Sequence, residues 1–112
     1  MPRKKEFLTN VVFSSDMTVD MKEDMQGDMT DLVTEQPKIR IQFSYPLENY
    51  AFFTFRHKGG FSLLRIICLV QKTYLKIYAD PERFGIWGHN LDDLCLTGIT
   101  IRGDLVTLDV GS

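Results

Sequence analysis

The chain has 112 residues, 44% of them apolar and 25% charged, with a formal charge of −2. That length suits one domain with a modest core, and that charge excludes the strongly basic balance of a typical nucleic-acid or membrane-surface binder. Two cysteines exclude a disulfide scaffold, and the longest apolar stretch, residues 66–70, is far too short to span a bilayer. The basic start is not followed by a sustained apolar run, so no signal peptide is expected and an intracellular, cytoplasmic location is the default.

The charge is unevenly placed. Residues 1–15 carry Arg3, Lys4 and Lys5 against Glu6, a net +2. Residues 16–35 carry seven acids against Lys22, a net −6, and residues 36–112 carry nine bases against seven acids, a net +2. The sum is the observed −2.

In chain order, residues 7–13 come first, a run of β-branched and aromatic side chains. It reads either as a strand added to a sheet edge or as an anchor for another chain. Asp16-Met17, Asp20-Met21, Asp24-Met25 and Asp28-Met29 then repeat a four-residue unit four times. On a helix each step of four drifts only about 40°, so Met17, Met21, Met25 and Met29 would form one slowly winding stripe beside the aspartates. Methionine suits adaptable contact surfaces, so this segment reads as a docking element. The competing reading is a disordered acidic tail, since its charges repel and Gly27 weakens a helix. The aspartate spacing does not match a calcium-binding loop, and no metal is expected there. Residues 1–36 are read as an N-terminal extension and residues 37–112 as a single domain.

In that domain Ile39, Ile41, Phe43 and Tyr45 alternate with Lys38, Arg40, Gln42 and Ser44, the pattern of a half-buried strand. Residues 46–49 turn, and residues 50–58 form a second strand with Ala51, Phe53, Phe55 and His57 on one side, completing an antiparallel hairpin. Gly59-Gly60 ends it. Residues 61–78 read as the one long helix, with Ser62 as its N-cap. Leu63, Ile66, Ile67, Val70, Tyr74 and Ile77 share one face, and Arg65, Lys72 and Lys76 share the opposite one with Leu69 exposed among them. Leu64, Cys68 and Leu75 widen the apolar band. Asp80-Pro81 stops the helix and opens a single turn, residues 90–94 form another, and a last hairpin reverses at Gly103-Asp104.

The expected fold is therefore α+β: a four-stranded mixed sheet from two hairpins packed on one long helix, in the order ββαββ, with the acidic Met-rich extension outside it. The β-grasp arrangement of ubiquitin-like domains resembles this order. The likeness is one of element order and implies no function.

Chemistry concentrates in residues 87–93, where His89 stands near Asp92 and Asp93, with Cys95 close by. A His beside carboxylates can work as an acid/base pair, which supports a small hydrolase or transferase. The structural alternative has Trp87 packing between glycines and the acids capping a turn. No Cys-x-x-Cys or His-Glu-x-x-His spacing occurs, and Gly59-Gly60 lacks the Lys and Ser/Thr placement of a phosphate loop, so no cofactor, metal or small-molecule ligand is inferred. Lys38, Arg40 and Arg56 share the polar face of the first hairpin and suit an acidic partner; a weak nucleic-acid binder through these basic faces ranks below that. The leading expectation is a non-catalytic protein-interaction module, such as a small subunit, adaptor or inhibitor. It would bind a protein partner or a second copy through Arg65, Leu69, Lys72 and Lys76 and through Met17, Met21, Met25 and Met29.

Overall fold

The computed structural model describes residues 4–13, 19–21, 32–86 and 91–111. The elements are β1 (Lys4–Phe13), β2 (Val19–Met21), β3 (Leu32–Thr34), β4 (Lys38–Phe43), β5 (Ala51–Arg56), β6 (Phe61–Ser62), α1 (Leu63–Tyr78) and α2 (Pro81–Phe84). A 3₁₀ turn over Leu91–Asp93, then β7 (Cys95–Arg102) and β8 (Leu105–Gly111), complete the chain. The fold is α+β, with a strand-rich sheet and one main helix. Among the described residues no helix is long and apolar enough to cross a membrane.

The main sheet has six strands in the order β2-β1-β7-β8-β4-β5. Four were expected; the sheet instead contains five long strands and the three-residue β2. The added long strand is β1, which pairs antiparallel with β7 and buries Val11 and Phe13 almost completely. Of the two readings for residues 7–13, the edge-strand one is therefore what the chain does. Val11 and Phe13 of β1 face a surface that only sheet pairing creates, so that part of the run joins the core, while Leu8 on the other side of the strand stays 90% exposed. Within the sheet β4 and β8 run parallel, and the other neighbours run antiparallel.

Period-two alternation sorts the strands onto two faces. Ile39, Ile41 and Phe43 of β4, Ile99 and Ile101 of β7, and Val106 and Leu108 of β8 point into the core. On β5 the inward Ala51, Phe53 and Phe55 are only half-buried, because β5 is the last strand of the sheet.

α1 begins at Leu63, two residues later than the sequence pattern suggests, because Phe61 and Ser62 pair with β3 first. The Ser62 hydroxyl accepts a hydrogen bond from the Arg65 N–H at 3.1 Å, as an N-cap does. Its apolar stripe of Leu63, Ile66, Ile67, Val70, Tyr74 and Ile77 is buried throughout. Tyr74 is the junction between helix and sheet. Its ring centroid lies 5.1 Å from those of both Phe13 and Phe43, and its hydroxyl donates to the Tyr45 carbonyl at 2.7 Å.

Burial pushes the Tyr74 phenol well above its ordinary value of 10.0, with the Tyr78 hydroxyl adding to the shift. Burial likewise pushes Tyr78 up to about 12, helped by Tyr45 and Asp93. The folded state thus holds these protons where the unfolded chain releases them. Their contribution is complete below about pH 10 and is lost as pH rises toward the folded values. Denaturant titrations between about pH 8 and pH 11.5 should show stability falling above about pH 10, by up to about 1.4 kcal/mol per pH unit from Tyr74. Tyr74→Phe should flatten that limb; an unchanged slope would remove Tyr74 as its cause.

Candidate partner-binding surfaces

The side of the sheet away from the core is set by the same alternation. It carries Lys4, Glu6 and Leu8 of β1, Thr100 and Arg102 of β7, and Leu105, Thr107 and Asp109 of β8. Lys38, Arg40 and Gln42 of β4 and Phe52, Thr54 and Arg56 of β5 complete it. Strand register aligns these side chains into rows. One row runs across five strands as Lys4, Arg102, Leu105, Arg40 and Thr54. The next row on one side adds Lys38 opposite Arg56. The next on the other side reads Glu6, Thr100, Thr107, Gln42 and Phe52.

Two of the cross-strand pairs, Lys4 with Arg102 and Lys38 with Arg56, set cations directly opposite each other. Such pairs destabilise a sheet unless something anionic lies over them. All five basic side chains are exposed. Among the described residues, the ion pair on this face is Lys4 Nζ to Glu6 Oε1 at 2.9 Å. A shallow recess of about 280 Å³ lies between the row of Lys4, Arg102 and Leu105 and the row of Thr100 and Thr107, lined by those five side chains. It brings two cations and two hydroxyls to one spot, a donor set suited to a carboxylate. At the far end the Arg40 guanidinium lies over the Phe52 ring, 5.6 Å from its centroid, and Phe52 and Tyr50 are both more than half exposed.

The helix offers the second surface. Arg65, Lys72 and Lys76 are exposed, as their spacing implies. Leu69 is not: it is half-buried and packed against the core. The reason is angular. At about 100° per residue, Leu69 stands about 60° round from Ile66, between the basic stripe and the buried arc. Core side chains reach it from one flank, so the helix presents cations without an apolar centre.

The methionine stripe cannot be placed in the same way. Met17, Met25 and Met29 lie outside the described residues, and so does the side chain of Met21, although its backbone belongs to β2. The candidate acid/base pair is in the same position: His89 and the Asp92 side chain lie outside them. Asp93 is described, and it is exposed at the end of the 3₁₀ turn. His57 has a structural role, its Nδ1 lying 2.9 Å from the Gly60 carbonyl oxygen. Cys68 and Cys95 are free and half-buried, less enclosed than their apolar surroundings in sequence suggest. Among the described residues no cluster of three His, Cys, Asp or Glu side chains is placed to hold a metal ion.

Period two alone groups Lys38, Arg40 and Arg56. Lys4 and Arg102 were missed as members of that surface, and only the β1–β7–β8–β4 pairing brings them there. No family model, no curated protein and no solved structure matches this chain.

Proposed function

We propose that this chain is a non-catalytic interaction module that binds an acidic protein segment on the open face of its sheet. The observation that carries the reading is the pair of like-charge cross-strand contacts, Lys4 with Arg102 and Lys38 with Arg56, in an exposed basic field. Glu6 offsets the Lys4–Arg102 repulsion in part and nothing described offsets the Lys38–Arg56 one, whereas an anionic ligand relieves both at once. A protein ligand is favoured over nucleic acid by two features. The chain carries net negative charge, and its own residues 16–35, at net −6, are an example of the acidic sequence such a face would take. The strands β7-β8-β4-β5 with α1 are read as a β-grasp-like unit, a reading supported by the parallel β4–β8 pair, with β1 widening its binding face.

A second surface stays within the proposal. Arg65, Lys72 and Lys76 are exposed on α1, and among the described residues no carboxylate lies within ion-pair distance of them. They would receive a segment with the Met17, Met21, Met25 and Met29 spacing when it is supplied as a separate peptide, since the chain's own Met21 is paired with Val11 in β2.

A synthetic peptide of residues 16–35, titrated into the full chain by fluorescence anisotropy, tests both surfaces. Binding should weaken with salt, and Arg40→Glu with Arg102→Glu should weaken it at least about tenfold, the effect of losing about 1.4 kcal/mol. Lys72→Glu with Lys76→Glu should have the smaller effect. Equal binding by the wild type and the sheet-face variant would exclude that face. Tighter binding of a single-stranded oligonucleotide than of the peptide would replace the acidic protein with nucleic acid.

A further inference from the structure

We infer that two copies of this chain associate through the outer edge of β5, joining their sheets about a twofold axis at Thr54. This rests on the backbone phase of β5 and not on the acidic-partner reading. The His57 N–H donates to the Pro37 carbonyl at 2.8 Å, which makes the 37–57 pair a hydrogen-bonded one. Stepping along the uninterrupted register, Phe55, Phe53 and Ala51 also turn their N–H and C=O groups toward β4. Phe52, Thr54 and Arg56 therefore turn theirs outward, at the end of the sheet.

Exposed edges are usually guarded by charge, proline, bulges or cover. β1 shows such guards: Lys4, Lys5 and Glu6, a register shift between Leu8 and Val11, and β2 over its end. β5 has no proline and no register shift; its one charge is Arg56 at its end, and it carries exposed Phe52 with Tyr50 just before it.

What fits that edge best is the same edge. With Thr54 opposite Thr54 in an antiparallel pair, Phe52 meets Arg56 of the second copy, and Tyr50 comes alongside Lys58. On the inner side Phe53 meets Phe55, and Ala51 meets His57. Cation–aromatic, aromatic–aromatic and Thr–Thr pairs are the favourable cross-strand combinations, and no like charges face each other directly. Slipping the register by two residues in either direction leaves one of the two exposed aromatics without its cation. One face of the Phe52 ring is taken by Arg40 of its own chain, and the other is open to the second copy. An isologous contact of this kind closes as a dimer.

Sedimentation equilibrium of the full chain should show a concentration-dependent dimer. Thr54→Pro removes an outward N–H and places a ring on the edge, while the bonds to β4 come from the alternate residues. It should raise the dimer Kd by at least about tenfold with the fold intact by circular dichroism. If Thr54→Pro does not fold, Phe52→Lys serves instead, since it sets like charges opposite each other. Register is read by Thr54→Cys in a Cys68→Ala, Cys95→Ala background. Opposed hydrogen-bonded residues stand about 5.5 Å apart at Cα, with Cβ atoms a little beyond disulfide spacing, so a short thiol-to-thiol crosslinker should give covalent dimers. A wild type that sediments as a monomer throughout, a dimer unaffected by both edge variants, or a dimer without the Thr54→Cys crosslink would overturn it.

Discussion

Gly60→Ala is expected to lower folding stability by about 2–5 kcal/mol, combining a strained conformation with an overpacked contact. Gly60 sits at φ +98°, where L side chains are rarely found. A Cβ there would run into the Thr34 carbonyl oxygen, and would lie 2.9 Å from the Glu35 Cα and 3.2 Å from the Glu35 carbonyl carbon. All three are backbone atoms of a segment that is itself held in place. Leu32 pairs with Ser62 and Thr34 with Phe61, so β3 cannot retreat without releasing β6 and the start of α1. Gly59 is the internal control. Its φ is +94°, yet nothing lies within 4 Å of its Cβ position, so Gly59→Ala should cost only about 1–2 kcal/mol from conformation. Denaturant midpoints of the two variants separate the contributions. Equal losses would show that the approach to Thr34 is not what requires glycine at position 60.

Phe43→Ala is expected to cost about 3–5 kcal/mol, the range for deleting a buried aromatic ring. Phe43 is fully buried on β4, between the parallel β8 and the edge strand β5. Its ring meets Phe53 edge-on at 5.5 Å and Tyr74 at 5.1 Å, so one side chain ties the outer hairpin to the helix. Removal leaves a cavity whose walls are held by separate elements and close poorly. Phe53→Ala removes the same pair from the side where the ring is half-exposed, and should cost less. Urea titrations should show the two midpoints in that order with similar slopes. A Phe53→Ala loss equal to that of Phe43→Ala would mean that β5 and not the β4–α1 junction anchors the hairpin.

These two positions differ in how far they could be read from sequence. Phe43 falls in an alternating run whose buried side is plain from spacing. Gly60 was legible only as a chain reversal before a helix. The contact that requires it comes from Thr34 and Glu35, about 25 residues earlier, in a strand too short to leave a period. The binding surfaces divide in the same way. Arg65, Lys72 and Lys76 follow from 3.6-residue periodicity, but the half-burial of Leu69 depends on side chains packed against the helix flank. Lys38, Arg40 and Arg56 follow from one local hairpin, whereas Lys4 and Arg102 join them through pairings distant in sequence.

Local signals in the chain specify the β4–β5 hairpin, the extent of α1 to within two residues, its Ser62 cap, and the final β7–β8 hairpin. Periodicity and capping act within a few residues, so the chain states them directly. Only pairings distant in sequence bring β1 into the sheet and set five cations on one open face. Strand partners are chosen by the total apolar surface that their pairing buries, a property of the whole chain that no local window contains.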